Sequence, residues 1–403
     1  MRVLYSHYLS DDAHPAAQMV RAIARALRPL GHEVTIHRSA GAMRPAGKSK
    51  GESRTGARSR LRNHGWFAKE LSRNRAMLGR DLEAIDVVRP DVILARQDAY
   101  CFSMVEAAKR RGIPLVTYAD APVAYETRLS TQHGGRWHPP GLVEAIESRT
   151  LRRSRAIVTV SEPAARCLSR YHVTTPIHVV SNGVDPLKFE ELSPDRRLQE
   201  RLGLDLTAPR IAGFVGSFKA FHGIDRLRDL ILATSSRTDT QWLLIGDGPE
   251  CPALQDALRG RANAVFLGHR PAAELGRLLG LMDVAVAPHP KHEGDFYFCP
   301  LKILEAAAAG CAVLASDQGD IPRLLEDGRA GVVLSDYGID TWAQALNDLL
   351  DDPTRCSHLG HHARRWVMSH FTWHHTAMRV AEILITAEPT RVRVPLAGAL
   401  IGS

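Results

Sequence analysis

The chain has 403 residues, 44% of them hydrophobic, enough for two cores at about 100–200 residues per domain. A formal net charge of +8 points to an anionic partner, whether phosphate-bearing substrate, acidic membrane or nucleic acid. Six scattered cysteines without a C-x-x-C pair argue against a zinc or redox motif and imply free thiols, and no apolar run reaches the ~18–20 residues of a membrane span, so the expectation is a cytoplasmic protein, soluble or peripheral on the inner membrane face.

Arg2–Ser6 (RVLYS) reads as a buried strand and not a signal peptide. Met19, Val20, Ile23, Ala24 and Leu27 predict a helix over Pro15–Leu30, stopped by Gly31. Strands follow at Glu33–His37, Asp91–Ala95, Pro114–Tyr118, Ala156–Ser161 and Ile177–Val180. Helical patterns at Phe102–Arg111, Leu142–Arg153 and Pro163–Tyr171 lie between them. After a junction at Asn182–Pro194 the rhythm restarts, with strands at Arg210–Gly216, Trp242–Ile245, Ala264–Leu267, Val284–Ala287, Ala312–Ala315 and Gly331–Leu334. Alternating strands and helices imply two doubly wound α/β domains with parallel sheets, and ligands sit at the carboxyl ends of such strands. Two such domains facing each other make an interdomain cleft.

Residues 38–80 break the rhythm. They are rich in Arg and Lys, with Glu52 and Glu70 the only acids. The first part reads as a polar insertion and the second (WFAKELSRNRAML) as an amphipathic basic helix. A solvated insertion and a surface for an anionic acceptor or acidic membrane both fit, with nucleic acid the least favoured partner.

Three segments carry candidate chemistry. In Val215–Asp225 (VGSFKAFHGID) a strand ends at Gly216 and a helix opens near Gly223, leaving free N–H groups that suit a phosphate, with Lys219 and His222 in the loop. In LIGDGPE, Gly246 and Gly248 permit a tight turn. Glu293–Gly310 (EGDFYFCPLKILEAAAAG) leads an acidic, aromatic loop into a helix opening near Pro300, with Lys302 in its first turn and Glu305 about one turn on. A plain turn or an ordinary helix-surface glutamate is the alternative at each place. GAMRPAGKS has five residues between its glycines where a P-loop needs four, no G-x-S-x-G elbow is present, no G-x-G-x-x-G follows the first strand, and His289, His292 and Glu293 lack metal-ligand spacing. No metal is expected.

The ordered set GHEVTIH, SNGVDPLKF, VGSFKAFHG, LLIGDGPE, DVAVAP, PLKILEAAAAGCAVLASDQG and the late FTW resembles the retaining GT-B glycosyltransferases of family 4 over nearly the whole chain. The resemblance implies the GT-B fold, α/β with two Rossmann-like doubly wound domains. It assigns 1–185 to an acceptor domain carrying the basic insertion, 186–370 to a donor-nucleotide domain, and 371–388 to a helix crossing back. It implies a UDP- or GDP-sugar as co-substrate, with no other cofactor, and a glycan or lipid-linked acceptor in envelope or exopolysaccharide synthesis. By the same resemblance Phe298, Cys299, Pro300, Leu301 and Lys302 lie along the donor diphosphate, Glu305 meets the ribose, and Gly268, His269 and Arg270 border the base.

Three positions depart from the family. Tyr297 stands where a sugar-contacting Glu is usual, with Glu293 and Asp295 close by. Ser217 and His222 replace the Arg and Lys of the first phosphate loop, leaving Lys219 and Lys302 to supply charge. Asp120 stands near the place of the usual His after the fourth strand. Donor contacts are expected from Gly216, Ser217, His222 and Gly246, and catalytic positioning from Asp120, Lys219 and Lys302. Tyr297 also motivates a rival reading, a catalytically weak sugar-nucleotide-binding or scaffold protein on the same fold; a sugar-nucleotide epimerase ranks behind both.

Overall fold

The computed structural model describes residues 1–9, 11, 14–40, 57–132, 141–171, 174–190, 196–260, 263–292 and 294–388, with the backbone alone for 57–68, 70 and 130–132. The first half runs β1 (Arg2–His7), α1 (Pro15–Leu27), β2 (Glu33–Arg38), α2 (Ala57–Val88), β3 (Val92–Arg96), α3 (Ser103–Arg111) and β4 (Leu115–Ala119). It continues with α4 (Val123–Gln132), α5 (Leu142–Arg152), β5 (Ala156–Thr159), α6 (Glu162–Ser169) and β6 (Ile177–Val179). The second half runs α7 (Arg196–Arg201), β7 (Arg210–Val215), α8 (Ile224–Ala233), β8 (Thr240–Ile245), α9 (Cys251–Ala257), β9 (Ala264–Gly268), α10 (Leu275–Leu279) and β10 (Val284–Ala287). There follow α11 (Leu301–Ala308), β11 (Ala312–Ser316), α12 (Ile321–Leu324), β12 (Val332–Leu334), α13 (Ile339–Asp351), α14 (Pro353–His370) and α15 (Trp373–Ala387).

Two parallel six-stranded sheets result, ordered β2-β1-β3-β4-β5-β6 and β12-β11-β10-β7-β8-β9 among the described residues. Helices cover both faces, so β1, β4, β8 and β11 are buried along nearly their whole length rather than on alternate residues. In α1 the predicted stripe of Met19, Val20, Ile23, Ala24 and Leu27 is buried, and Gly31 at φ +85° ends the following turn. Fully burying Ile23 or Leu27 contributes about 1.5–3 kcal/mol each. The chain reverses its winding between β1 and β3 in the first sheet and between β7 and β10 in the second. Those are the two places where doubly wound sheets open a crevice.

The basic segment differs from the sequence expectation. Its second part belongs to α2, which extends to Val88 and makes the crossover from β2 to β3 that a parallel sheet requires. Asn74, Met77, Asp81 and Ile85 are buried on it. Asp81 accepts from Ser103 Oγ at 2.5 Å and lies 2.8 Å from His37 Nε2, and Asn74 bonds the backbone of Tyr100 and Phe102. Residues 41–56 lie outside the described residues, as do the side chains of 57–68.

The halves are tied at several points. Val184 bridges Thr372, Thr376 Oγ1 donates to the Ser181 carbonyl, and α15 packs on α1, β3, β4 and β5. Asp295, in the loop after β10, accepts from Arg170 at 2.6 Å and Arg166 at 3.5 Å, both on or just after α6. Ser161 Oγ donates to the Tyr297 carbonyl at 2.6 Å.

Candidate active site

A cavity of about 370 Å³ lies between the halves, at the carboxyl ends of the strands flanking both switch points. From the first half it is lined by His14 after β1, Arg96 ending β3, Asp120 after β4 and Glu126 on α4. The second half supplies His222 after β7, His289 after β10 and Tyr297 to Lys302 leading into α11.

Arg96 donates through Nε at 3.2 Å and Nη2 at 2.8 Å to one oxygen, Oδ2, of Asp120. The two side chains are only 12% and 18% exposed, so the pair stands in a low-dielectric setting where losing either partner would be costly. Glu126 lies near Tyr297 across the cleft. Burial, then the Asp120 charge, raises its carboxyl above the ordinary range, while Arg96, Tyr297 and Lys219 pull the other way. The start of α4 is fixed from behind by the buried Glu147. Its oxygens accept from the amides of Val123 (2.9 Å) and Ala124 (3.0 Å) and from Gln97 Nε2 (2.7 Å). Burial pushes Glu147 up to about 7 against those hydrogen bonds.

On the opposite wall Pro300 is the residue before α11, and no side chain caps the helix. Its first amides thus carry partial positive charge toward the cavity rim formed by Pro300, Leu301 and Lys302. Lys302 Nζ pairs with Glu305 at 2.8 Å, the lysine 46% and the glutamate 15% exposed. In the loop after β7, Phe218 adopts φ +40° while fully buried, a strained geometry of order 1–2 kcal/mol at a site-forming turn. Gly223 has φ +72° and a Cβ there would overlap the Pro288 carbonyl, so only glycine lets this loop reach α8. Phe221 stacks on Phe298 with centroids 5.3 Å apart and planes 12° apart, giving the cavity an aromatic wall.

Comparison with known proteins is decisive. One family model, Glycosyltransferase Family 4, matches residues 16–187; another, Glycosyl transferases group 1, matches 209–352. The chain belongs to the group 1 glycosyltransferases of family 4. It is 29% identical to alpha-maltose-1-phosphate synthase of Mycolicibacterium smegmatis over 68% of this chain and 73% of that protein. It is 28% identical to the GDP-mannose-dependent alpha-(1-6)-phosphatidylinositol monomannoside mannosyltransferase of the same species, over 55% of this chain and 59% of that one. In fold it matches sucrose-phosphate synthase from Thermosynechococcus elongatus (TM-score 0.71, 16% identity, 96% of this chain, 98% of that chain). It also matches Anabaena HepE, solved in complex with UDP (TM-score 0.70, 16% identity, 96% of this chain, 100% of that chain). These likenesses establish the GT-B fold.

In this glycosyltransferase the cavity gathers Asp120, His222, Tyr297, Phe298, Cys299, Pro300, Leu301 and Lys302 from the sequence-selected residues. Lys219, Gly216, Ser217, Gly246, Gly268, His269, Arg270 and Glu305 are not among its lining residues. Lys219 and Lys302 both lower the His222 pKa electrostatically, which places them close to that ring. Gly246 at φ +121° follows β8 and Gly268 at φ +65° ends β9. The Nε of Arg270 is buried without a partner among the described residues. Asp295 faces α6 rather than the cavity, because Arg166 and Arg170 claim its carboxylate. Glu293 lies outside the described residues. His222 does not carry the charge of the basic residue it replaces. Burial first, then His289 and the two lysines, depress it to about 4, so its ring is neutral at neutral pH and offers a hydrogen bond rather than charge.

The sequence reading missed His14, Arg96, Glu126 and Asn182. Arg96 ends β3 and His14 follows β1, at the carboxyl strand ends where ligands gather in such sheets, and that rule was the signal available for them. Asn182 Nδ2 donates to the Cys299 carbonyl at 3.2 Å, and its Oδ1 is a buried acceptor without a partner among the described residues. Among those residues no group of His, Cys, Asp or Glu is arranged to hold a metal ion, and no helix is long and apolar enough to cross a membrane.

Proposed function

We propose that this enzyme moves a glycosyl group from a nucleoside-diphosphate sugar to a hydroxyl of a glycan or lipid-linked acceptor, with retention of anomeric configuration. The observation that carries the reading is the cavity itself. The uncapped start of α11 and Lys302 form one wall, and the Asp120 and Glu126 carboxylates form the other. The donor diphosphate sits against the Phe298–Lys302 turn, where helix amides and Lys302 stabilise charge that grows as the leaving group departs. Lys219 adds charge from the loop after β7. Glu305, the Gly268–Arg270 strand end, Gly246 and the Gly216–Ser217 turn hold the nucleoside, and the orphaned Arg270 Nε is a donor suited to it. The sugar then lies between the diphosphate and Asp120, and the leaving phosphate takes the acceptor proton. The protein's contribution is positioning and charge stabilisation.

Relatives named for GDP-mannose-dependent and inositol-phosphate transfer support an anionic or lipid-borne acceptor, as does the basic 38–80 segment. The test is a panel of UDP- and GDP-sugars with mass analysis of products. Transfer with the anomeric configuration kept supports the reading; nucleotide binding with no turnover for any donor would replace it with a binding role. Salt-insensitive absence from anionic liposomes would remove the membrane clause.

A further inference from the structure

A carboxylate that serves a ligand needs one oxygen held and the other left open, and Asp120 shows that division. We propose that Arg96 is a positioning residue for the transfer reaction: by gripping Oδ2 of Asp120 through two N–H groups, it presents Oδ1 to a hydroxyl of the donor sugar. The inference rests on the transfer reading above, which puts the sugar against Asp120. It goes beyond that reading by naming the residue that aims this carboxylate and the oxygen that meets the sugar.

Three observations carry it. The first is strand register. β3 and β4 are parallel neighbours with Arg96 opposite Tyr118, so Asp120 leaves the same end of the adjacent strand, where ligands gather in such sheets. The frame around the pair is fixed. The Gln97 amide donates to the Tyr118 carbonyl at 2.9 Å, Thr159 Oγ1 to the Ala119 carbonyl at 2.8 Å, and Arg96 Nη1 to the Gln97 carbonyl at 3.2 Å.

The second is that the grip is one-sided. Arg96 Nε and Nη2 both reach Oδ2, at 3.2 Å and 2.8 Å, where a guanidinium frequently takes the two oxygens of a carboxylate in a fork. Oδ1 has no partner among the described residues, and it is not one of their buried orphaned acceptors. An ionised carboxylate has about four lone-pair sites, so those on Oδ1 remain for a donor from outside the protein. Asp120 lines the cavity, and a hydroxyl is the donor that the sugar of a nucleotide sugar brings there.

The third is energetic. The Arg96 and Asp120 side chains are only 12% and 18% exposed. A pair so buried repays little of its desolvation cost in stability, and apolar groups of similar size would serve the fold as well. On a cavity wall the pair has a use, because a carboxylate already oriented and desolvated needs no reorganisation when the sugar arrives.

The test uses the full chain, calorimetry and turnover, with UDP-glucose, UDP-galactose and GDP-mannose as donors and UDP and GDP as bare nucleotides. Wild type binds at least one donor more tightly than its bare nucleotide. Arg96→Lys keeps the charge but replaces the two-pronged grip by one ammonium. It should lower that increment and kcat about tenfold or more, the worth of one misdirected charged hydrogen bond, while UDP and GDP affinities stay put. In the Asp120→Ala background the same change should cost less than about twofold, because Arg96 acts through the carboxylate. Equal losses in both backgrounds overturn the assignment, since Arg96 would then act on the substrate directly or only through the fold. An unchanged increment and kcat in Arg96→Lys overturn it as well. So does a wild type with no increment for any of the three donors, because no sugar then meets Asp120. Should a single variant fail to fold, Arg96→Met combined with Asp120→Leu replaces the pair by apolar groups of similar size. That protein should fold, bind UDP or GDP and lose the increment; keeping the increment overturns the proposal. A wild type that shows the increment without turnover refutes the transfer reading alone, and the affinities still decide the assignment.

Discussion

Replacing His222 by Gln isolates the neutral-histidine claim, because it keeps a polar side chain of similar length and removes the titration. The folded ring is depressed from 6.5 to about 4. At about 1.4 kcal/mol per unit, protonating it in the folded protein costs roughly 3 kcal/mol more than in the unfolded chain. The group is depressed, so the stability it supports is fully present above pH 6.5 and is lost as pH falls towards 4, where the unfolded chain binds a proton that the folded protein refuses. Relative to His222→Gln, wild type should lose about 2 kcal/mol by pH 5 and about 3 kcal/mol by pH 4. Urea unfolding at a series of pH values reads the difference, and the ring signal missing from the variant's NMR spectrum identifies the His222 titration. Parallel stability curves for the two proteins, or a His222 ring titrating near 6.5, would refute the claim that this loop is buried among like charges.

Other expectations follow from the same contacts. Glu305→Ala should weaken UDP or GDP binding by about tenfold or more, the worth of one charged hydrogen bond, in calorimetry. Lys302→Ala should lower turnover while leaving the melting temperature within a few degrees, because its ion pair is nearly half exposed and contributes under about 1 kcal/mol. Asp295→Ala frees Arg166 and Arg170, each 61% exposed, so global stability should change by roughly 0.5–1 kcal/mol, but limited proteolysis between the halves should accelerate. Asp81→Ala strands His37 and Ser103 in a buried setting and should cost about 2–3 kcal/mol in chemical denaturation; a neutral result would mean α2 is not part of the core.

Both sheets were legible in the sequence because parallel strands buried on two faces leave short apolar runs that loops interrupt, as in Asp91–Ala95 and Val284–Ala287. The crossover helix α2 was only half legible. Its inward residues are Asn74, Met77, Asp81 and Ile85, two of them polar, so the stripe that marks a packed helix is broken and charge dominates the window. The α11 turn was legible since its chemistry is local: Pro300, Lys302 and Glu305 sit within two turns. The partners of Asp120, Tyr297 and Asp295 were not, because they lie on other strands and helices. Arg96 is 24 residues from Asp120, and Arg170 is 125 residues from Asp295. The charge of His222 was hidden for the same reason, being set first by burial in the folded loop and then by His289, Lys219 and Lys302.

The departure at Tyr297 and the nearby Asp295 become one arrangement once the folded distances are known. Acidic side chains of the loop before α11 are the ones a sequence reader would assign to the sugar. Asp295 instead spends its charge on α6, binding the two halves together 2.6 Å from Arg170. Tyr297 brings a buried ring where an acid was expected, edge-on to Tyr125 at 5.8 Å and held through its carbonyl by Ser161 Oγ. Glu126 lies near it from the other half. The loop thus anchors the halves through both residues, by an ion pair at one and by ring packing and a carbonyl hydrogen bond at the other. A change of Tyr297 back to an acid would therefore put a charge in place of a buried ring and near the Glu126 and Asp120 carboxylates, and the expected outcome is a weakened interface rather than a restored sugar contact.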